Sequence, residues 1–184
     1  LSNVYLDKLD KELEQRGLRF TRYADDTMIF TKSEMAANRV MKSITDWIER
    51  KLFLKVNATK TKVVRPTRSK YLGFTFLKNG SEWKVKPTTE KKQKLKQKLS
   101  EYLKRSKAVA RPLAVTIKRV NEIARGWINY FRIGMMKQFM AELGAWLRHK
   151  IRVILMKQWK KPKTIYRNLC YLNRKYNNGF DHEA

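Results

Sequence analysis

The sequence predicts an α+β fold, in which antiparallel strands with packed helices are followed by an all-α bundle of three helices. Short runs of β-branched and aromatic residues alternate with helical patterns as far as Val85. From Thr88 onward the apolar residues recur only at helical spacing. Pro87 lies between the two patterns, so we expect one domain at 1–87 and a second at 88–184.

The first domain is predicted from short elements. Residues 2–16 carry apolar side chains at helical spacing, and Gly17 ends the pattern. Phe20–Phe30 predicts two strands joined by a tight turn, and residues 34–54 predict a strongly amphipathic helix. Further short strands are predicted at Lys62–Val64, Tyr71–Phe76 and Trp83–Val85, with a hairpin turn at Asn79-Gly80.

The second domain is predicted from helices that Arg111-Pro112, Gly134 and Lys161-Pro162 separate. A short final helix is expected at Ile165–Tyr171. Aromatic residues on these helices are expected in the core, because apolar seams are where aromatics are usually found. Trp159, which has lysines on both sides, is the best candidate for an exposed aromatic platform.

The charge of the chain predicts a polyanionic partner. It has 184 residues, with 43 Lys and Arg against 16 Asp and Glu, a net charge of +27. Residues 1–55 hold 11 basic and 9 acidic residues, whereas residues 56–184 hold 32 and 7. RNA or DNA is the first candidate partner and an anionic membrane surface the second. The expected nucleic-acid contacts are Lys91, Lys94, Lys98, Arg148, Arg152, Lys157 and Trp159, with the basic residues of 148–157 forming one face of a helix.

Other features of the sequence exclude several classes of protein. Cys170 is the single cysteine, so no intrachain disulfide can form and a reducing compartment is expected. His149 and His182 are isolated, so neither suggests a zinc site. We find neither a signal peptide nor an apolar run long enough to span a bilayer. We therefore expect a cytoplasmic or organellar protein that is not secreted and does not enter a membrane.

Asp25 and Asp26 are the most informative pair of residues. Two carboxylates in a turn between apolar strands cannot both be buried without a counter-ion, since an unpaired buried charge is costly. Mg²⁺, or Mn²⁺ in its place, binds hard oxygen ligands of this kind together with substrate phosphates. Asp is also an ordinary turn residue, so the pair alone leaves a purely structural role open.

The residues around this pair carry a specific resemblance. Tyr23-Ala24-Asp25-Asp26, within Phe20–Phe30, resembles motif C of reverse transcriptases in the form typical of group II intron enzymes. Five further segments are similar to that family: Leu1–Asp10 to the helix after motif B, Asn57–Thr61 to motif D, Tyr71–Phe76 to the primer grip, and both Gly126–Phe131 and Leu155–Leu169 to the maturase-specific thumb. The ordered series is far more specific than any one motif.

The resemblance implies an RNA-directed DNA polymerase that uses deoxynucleoside triphosphates, with residues 1–87 in its palm and 88–184 in its thumb. Asp25 and Asp26 are implied as catalytic metal ligands, and Lys60 is implied near the triphosphate. Tyr23, Tyr71, Leu72 and Gly73 are implied beside the primer strand. Lys60 as a solvated loop residue and Tyr71–Phe76 as a core strand remain open alternatives.

The same comparison shows what the chain does not supply. The family's motif A aspartate and its fingers lie upstream of residue 1, so we expect this fragment to need an N-terminal palm and fingers segment for activity. An alternative function is an RNA-binding maturase module that binds intron RNA and promotes splicing. A membrane-surface protein explains the charge but not the ordered motifs.

Overall fold

The computed structural model describes residues 2–176, and the chain divides into two compact units, Leu1–Val85 and Lys86–Ala184. The predicted α+β fold is confirmed, with two small antiparallel sheets among the helices. His182 lies outside the described residues. The elements are α1 (Ser2–Gln15), β1 (Arg19–Tyr23), β2 (Asp26–Phe30), α2 (Glu34–Trp47), β3 (Phe74–Asn79), β4 (Glu82–Pro87), α3 (Thr89–Tyr102), α4 (Arg105–Ala108), α5 (Leu113–Phe131), α6 (Lys137–Trp159) and α7 (Pro162–Tyr176).

The first unit is built around a leucine-rich core between α1 and α2. Leu9 and Leu13 of α1 pack with Ile44 of α2 and with Leu52, which lies on a π-helical turn that continues α2. Leu13 is completely buried, and burying a leucine side chain is worth about 2 kcal/mol. The apolar residues whose spacing predicted these two helices therefore form this core.

The β3–β4 hairpin differs from its prediction in the residues just before β3. Tyr71 and Phe74 exchange backbone hydrogen bonds of 2.9 and 2.8 Å, so they close a tight turn. Leu72 and Gly73 inside the turn have φ of 50° and 83°, which a strand cannot contain. The predicted strand at Tyr71–Phe76 is thus wrong before Phe74, where β3 begins.

Two other strand predictions have different outcomes. Lys62–Val64 has irregular backbone, so the strand predicted there does not form. β3 and β4 are joined by a turn in which Gly80 has a φ of 60°, and this confirms the hairpin predicted at Asn79-Gly80.

The second unit packs α3, α5 and α6 around one apolar core, as the predicted three-helix bundle requires. The buried side chains of this core are Leu95, Leu99, Leu103, Ala108, Val120, Leu143 and Ile154. The ring of Trp127 lies 4.5 Å from Phe131 and 5.4 Å from Phe139, so these aromatics are packing residues.

The final helix is longer than predicted. α7 extends from Pro162 to Tyr176, whereas the apolar pattern predicted only Ile165–Tyr171. It packs on α6 and buries none of its residues fully. None of the helices within residues 2–176 is long and apolar enough to cross a bilayer.

A hydrogen-bond network fixes the C-terminal end of α6 within the second unit. The side-chain amide of Gln158 donates to the carbonyls of Val109 at 3.2 Å and Arg111 at 2.7 Å. The guanidinium of Arg111 lies 4.0 Å from the ring centre of Tyr102 and donates to the Tyr102 carbonyl. Arg111 therefore has a structural role, whereas its positive charge alone would group it with the other basic residues of this unit.

Candidate functional site

The β1–β2 hairpin presents Asp25 and Asp26 at its tip. The strands pair from Arg19 opposite Phe30 to Tyr23 opposite Asp26, so a two-residue turn of Ala24 and Asp25 joins them. Ala24 has a φ of 54°, a conformation that costs a residue with a Cβ about 1–2 kcal/mol. The turn keeps this conformation because other contacts hold it.

The two faces of the hairpin have different surroundings. Phe20 and Ile29 pack against the core of the first unit. Tyr23 and Asp26 form a cross-strand pair on the other face, where Tyr23 is 65% exposed. Asp25 in the turn is exposed as well. Both carboxylates face water, so the argument that their burial would require a counter-ion does not apply to this hairpin.

Arg22 fastens the turn to α1. Its Nε donates to Asp10 Oδ1 at 2.7 Å and its Nη2 donates to Asp10 Oδ2, a bidentate ion pair. Its Nη1 donates to the Ala24 carbonyl at 2.8 Å and to Asn3 Oδ1 at 3.0 Å. The hydrogen bond with Asp10 raises the pKa of Arg22 above its usual value. One guanidinium thus connects the strained turn to a helix of the core.

Sequence reasoning missed this role of Arg22. The available signal was its position in the strand, since Arg22 alternates onto the same face as Phe20, which packs on the core. A charged side chain on a core-facing position requires a partner.

Tyr71 meets the hairpin from a distant part of the chain. Its hydroxyl donates to the backbone carbonyl of Asp26 at 3.3 Å. The rings of Phe30 and Phe76 also pack in a T-shaped arrangement, with 6.2 Å between the ring centres. The turn that contains Leu72 and Gly73 directly follows Tyr71, so the structure brings this predicted primer-binding segment next to the carboxylate pair.

Lys60 lies on a loop that Asn57 folds. The side-chain oxygen of Asn57 accepts hydrogen bonds from the Thr59 amide at 3.1 Å, the Thr59 hydroxyl at 2.7 Å and the Lys60 amide at 3.2 Å. The Lys60 side chain is exposed, and within residues 2–176 no hydrogen bond or ion pair joins it to the hairpin. The structure therefore presents Lys60 on an ordered loop but does not connect it to Asp25 and Asp26.

The donor set of the hairpin fits part of a magnesium site. Carboxylate oxygens are ligands that Mg²⁺ prefers, and it commonly binds one or two of them together with phosphates and water. In the described part of the chain, no group of three or more His, Cys, Asp or Glu side chains could hold a metal ion. Asp25 and Asp26 can thus supply two ligands.

The second unit carries most of the basic surface. Lys86–Ala184 contains 25 Lys and Arg against 6 Asp and Glu. Six of the predicted contact residues have exposed side chains: Lys91, Lys94 and Lys98 on α3, and Arg148, Arg152 and Lys157 on α6.

Two expectations for α6 need correction. At about 100° per residue, Lys157 lies on the opposite side of the helix from Arg148, so the predicted single basic face is wrong. Trp159 is half-buried at the end of α6, whereas we expected an exposed ring.

Two family models match the chain. A reverse transcriptase (RNA-dependent DNA polymerase) model matches residues 1–76, which include the carboxylate hairpin and the Tyr71 turn. A group II intron, maturase-specific domain model matches residues 92–171, from α3 into α7. A search of curated proteins finds no match.

Proposed function

Because this chain belongs to the group II intron reverse transcriptase/maturase family, we propose that its β1–β2 hairpin carries two metal-ligating carboxylates of an RNA-directed DNA polymerase. The observation that carries the proposal is the exposed Asp25-Asp26 pair at a hairpin tip, inside the segment that the polymerase model matches. We assign residues 1–87 to the palm and 88–184 to the thumb of that enzyme.

The chemistry assigned to the hairpin is nucleotidyl transfer. Asp25 and Asp26 would hold a pair of Mg²⁺ ions, which would supply activation of the primer 3′-hydroxyl and neutralisation of the charge on the leaving pyrophosphate. Arg22 keeps the turn that bears Asp25 in place. Mn²⁺ is an acceptable substitute, since it also binds carboxylates.

The other residues of the first unit act on the nucleic acid and the nucleotide. Tyr71, together with Leu72 and Gly73, holds the primer strand beside the hairpin, which its hydrogen bond to Asp26 supports. Tyr23 contacts the primer terminus from the exposed face of the hairpin. Lys60, on the loop that Asn57 folds, supplies a positive charge for the pyrophosphate.

We further propose that the third carboxylate and the nucleotide pocket come from a segment N-terminal to these residues. Two carboxylates with one loop lysine leave the metal coordination incomplete. By this proposal the 184 residues alone do not polymerise DNA, and activity appears when the upstream palm and fingers are joined to them.

Primer extension on an RNA template with Mg²⁺ tests the polymerase proposal. In the enzyme completed by its upstream segment, Asp25→Asn or Asp26→Asn is expected to lower the rate by a factor of about 100 or more, since metal stabilisation is worth several kcal/mol. Asp7→Asn is the matched control, because it also removes an exposed carboxylate, from α1. Undiminished extension by either hairpin variant refutes the catalytic assignment.

The match to a maturase-specific domain over residues 92–171 favours a second function, the binding of intron RNA in support of splicing. The excess of basic residues in this unit supports it, because Lys and Arg contacts to phosphates supply sequence-independent affinity. RNA binding by the 184-residue chain, without metal and with a steep salt dependence, is the expected result. Affinity that barely changes with salt contradicts this role.

A further inference from the structure

Two lysines and a tryptophan form one cluster between α3 and α6. The ammonium of Lys96 lies 5.6 Å from the ring centre of Trp146, and that of Lys150 lies 5.9 Å from the same ring. One turn earlier on α3, the Lys92 ammonium lies 5.2 Å from the ring centre of Phe139. Both helices therefore direct lysines onto aromatic rings along the seam where they pack.

The same cluster lines an open groove in the second unit. Its lining residues are Gln93, Lys96, Gln97, Ser100, Trp146 and Lys150. This lining contains ammonium, amide and hydroxyl groups and no carboxylate. Gln97 in this lining donates a hydrogen bond to the carboxylate of Glu101 at 3.1 Å.

We propose that this groove binds the sugar–phosphate backbone of an RNA strand, with Lys96 and Lys150 each contacting a phosphate. Lys, Gln and Ser side chains are the groups that proteins use for phosphate and sugar contacts, which position a strand without reading its sequence. The inference rests on the proposed RNA-binding function and names the surface that performs it.

The aromatic rings explain why these lysines are suited to the task. A free lysine loses much rotamer freedom when it is fixed against a ligand, and this loss weakens binding. Contact with the Trp146 ring already restricts Lys96 and Lys150, so less freedom remains to be lost. Each ammonium has three N–H donors, which leaves donors for a phosphate. Trp146 thus supports the lysines and is not a base-stacking platform.

The size of the expected effect follows from counterion release. Each phosphate contact to a single strand contributes about 0.7 to the slope of log affinity against log salt. The double variant Lys96→Gln/Lys150→Gln removes two contacts, so the slope is expected to fall by about 1.4. At 0.1 M salt this corresponds to roughly 25-fold weaker binding.

Lys107→Gln/Lys118→Gln is the matched control. Both of these lysines are exposed in the second unit and lie outside the groove, and the variant removes the same net charge. It is expected to bind RNA within about threefold of the unmodified chain, because salt screens charges that are not in contact.

The Trp146→Leu variant distinguishes the contribution of the aromatic ring from that of the lysine charges. It keeps both lysines but removes the ring, so weaker binding with an unchanged salt slope is expected. Circular dichroism and thermal melting show whether each variant folds. If the Trp146→Leu variant does not fold, the Lys96→Gln/Lys150→Gln variant alone tests the inference.

The experiment is fluorescence anisotropy of the 184-residue chain with a labelled 20-nucleotide RNA of mixed sequence, between 50 and 300 mM KCl. A loss near 25-fold and a lower slope, confined to the groove variant, support the inference. Equal losses in the groove and control variants overturn it and leave the RNA-binding function standing. If the unmodified chain binds phosphatidylserine vesicles and no RNA, both the inference and that function fail.

Discussion

Replacing Arg22 by methionine removes four hydrogen bonds, three from the β1–β2 hairpin to side chains of α1 and one within the tip of the hairpin. Two of them go to the Asp10 carboxylate, and the others go to the Asn3 side chain and the Ala24 carbonyl. Methionine keeps a comparable apolar stem, so the change isolates the guanidinium. The hairpin is expected to open more often, while the core of the first unit stays folded.

The free energy lost in Arg22→Met lies between two known limits. Exposed ion pairs contribute up to about 1 kcal/mol, whereas breaking a fully buried pair costs about 3–5 kcal/mol. The Arg22 side chain is 12% exposed and Asp10 is 25% exposed, so this pair belongs between those limits. We expect a loss of about 2 kcal/mol, which is roughly a 30-fold rise in the opening equilibrium.

Amide hydrogen exchange measures this opening locally, which matters in a chain with two compact units. Exchange in a peptide covering residues 19–30 is expected to accelerate about 30-fold, while exchange in α5 stays unchanged.

Asp10→Asn added to Arg22→Met is expected to cause little further change, because its partner is already gone. Lys11→Met, which breaks an exposed pair with Asp7 on α1, is the control and is expected to have no measurable effect. Less than threefold acceleration with Arg22→Met refutes the bracing role.

Three further predictions concern the loop and the second unit. Asn57→Ala removes the acceptor that folds the loop of Lys60, so limited proteolysis within 57–61 should become several-fold faster, from a loss of about 1 kcal/mol; unchanged cleavage contradicts this. Gln158→Leu leaves two carbonyls without their donor and should lower the stability of the second unit by about 1–3 kcal/mol in urea; an unchanged midpoint contradicts it. Leu99→Ala, at a fully buried position, should cost about 3 kcal/mol in the same assay, and a loss below 1 kcal/mol indicates that the bundle core lies elsewhere.

Local patterns predicted the elements and the tip of the hairpin. The spacing of Leu9, Leu13 and Ile44 predicted two helices, and in the structure these residues pack together in one core. Asp25 and Asp26 were placed at a turn because β-forming residues flank two turn-forming ones, which is local information. Whether those carboxylates face water depends on which face of the hairpin packs against α1. A short stretch of sequence does not contain this information.

The missed features depend on backbone conformation or on distant contacts. Alternation in Tyr71–Phe76 predicted a strand, but Leu72 and Gly73 adopt positive φ, for which Gly73 was the signal. Arg22 finds Asp10 across an intervening turn, and Lys96 meets Trp146 only after two helices pack in one particular register. Charge counting identified a basic domain but could not separate lysines in a groove from lysines on open surface.

The central claim is that Asp25 and Asp26 hold the catalytic metal, and iron-directed cleavage tests it most directly. Fe²⁺ exchanged into a magnesium site reduces added hydrogen peroxide to hydroxide and a hydroxyl radical, becoming Fe³⁺, and the radical cuts the neighbouring backbone. In the enzyme completed by its upstream segment, we expect cleavage within residues 23–27, its loss in Asp25→Asn/Asp26→Asn, and its retention in Asp7→Asn. Cleavage that persists in the double variant, or that falls only elsewhere in the chain, contradicts the claim.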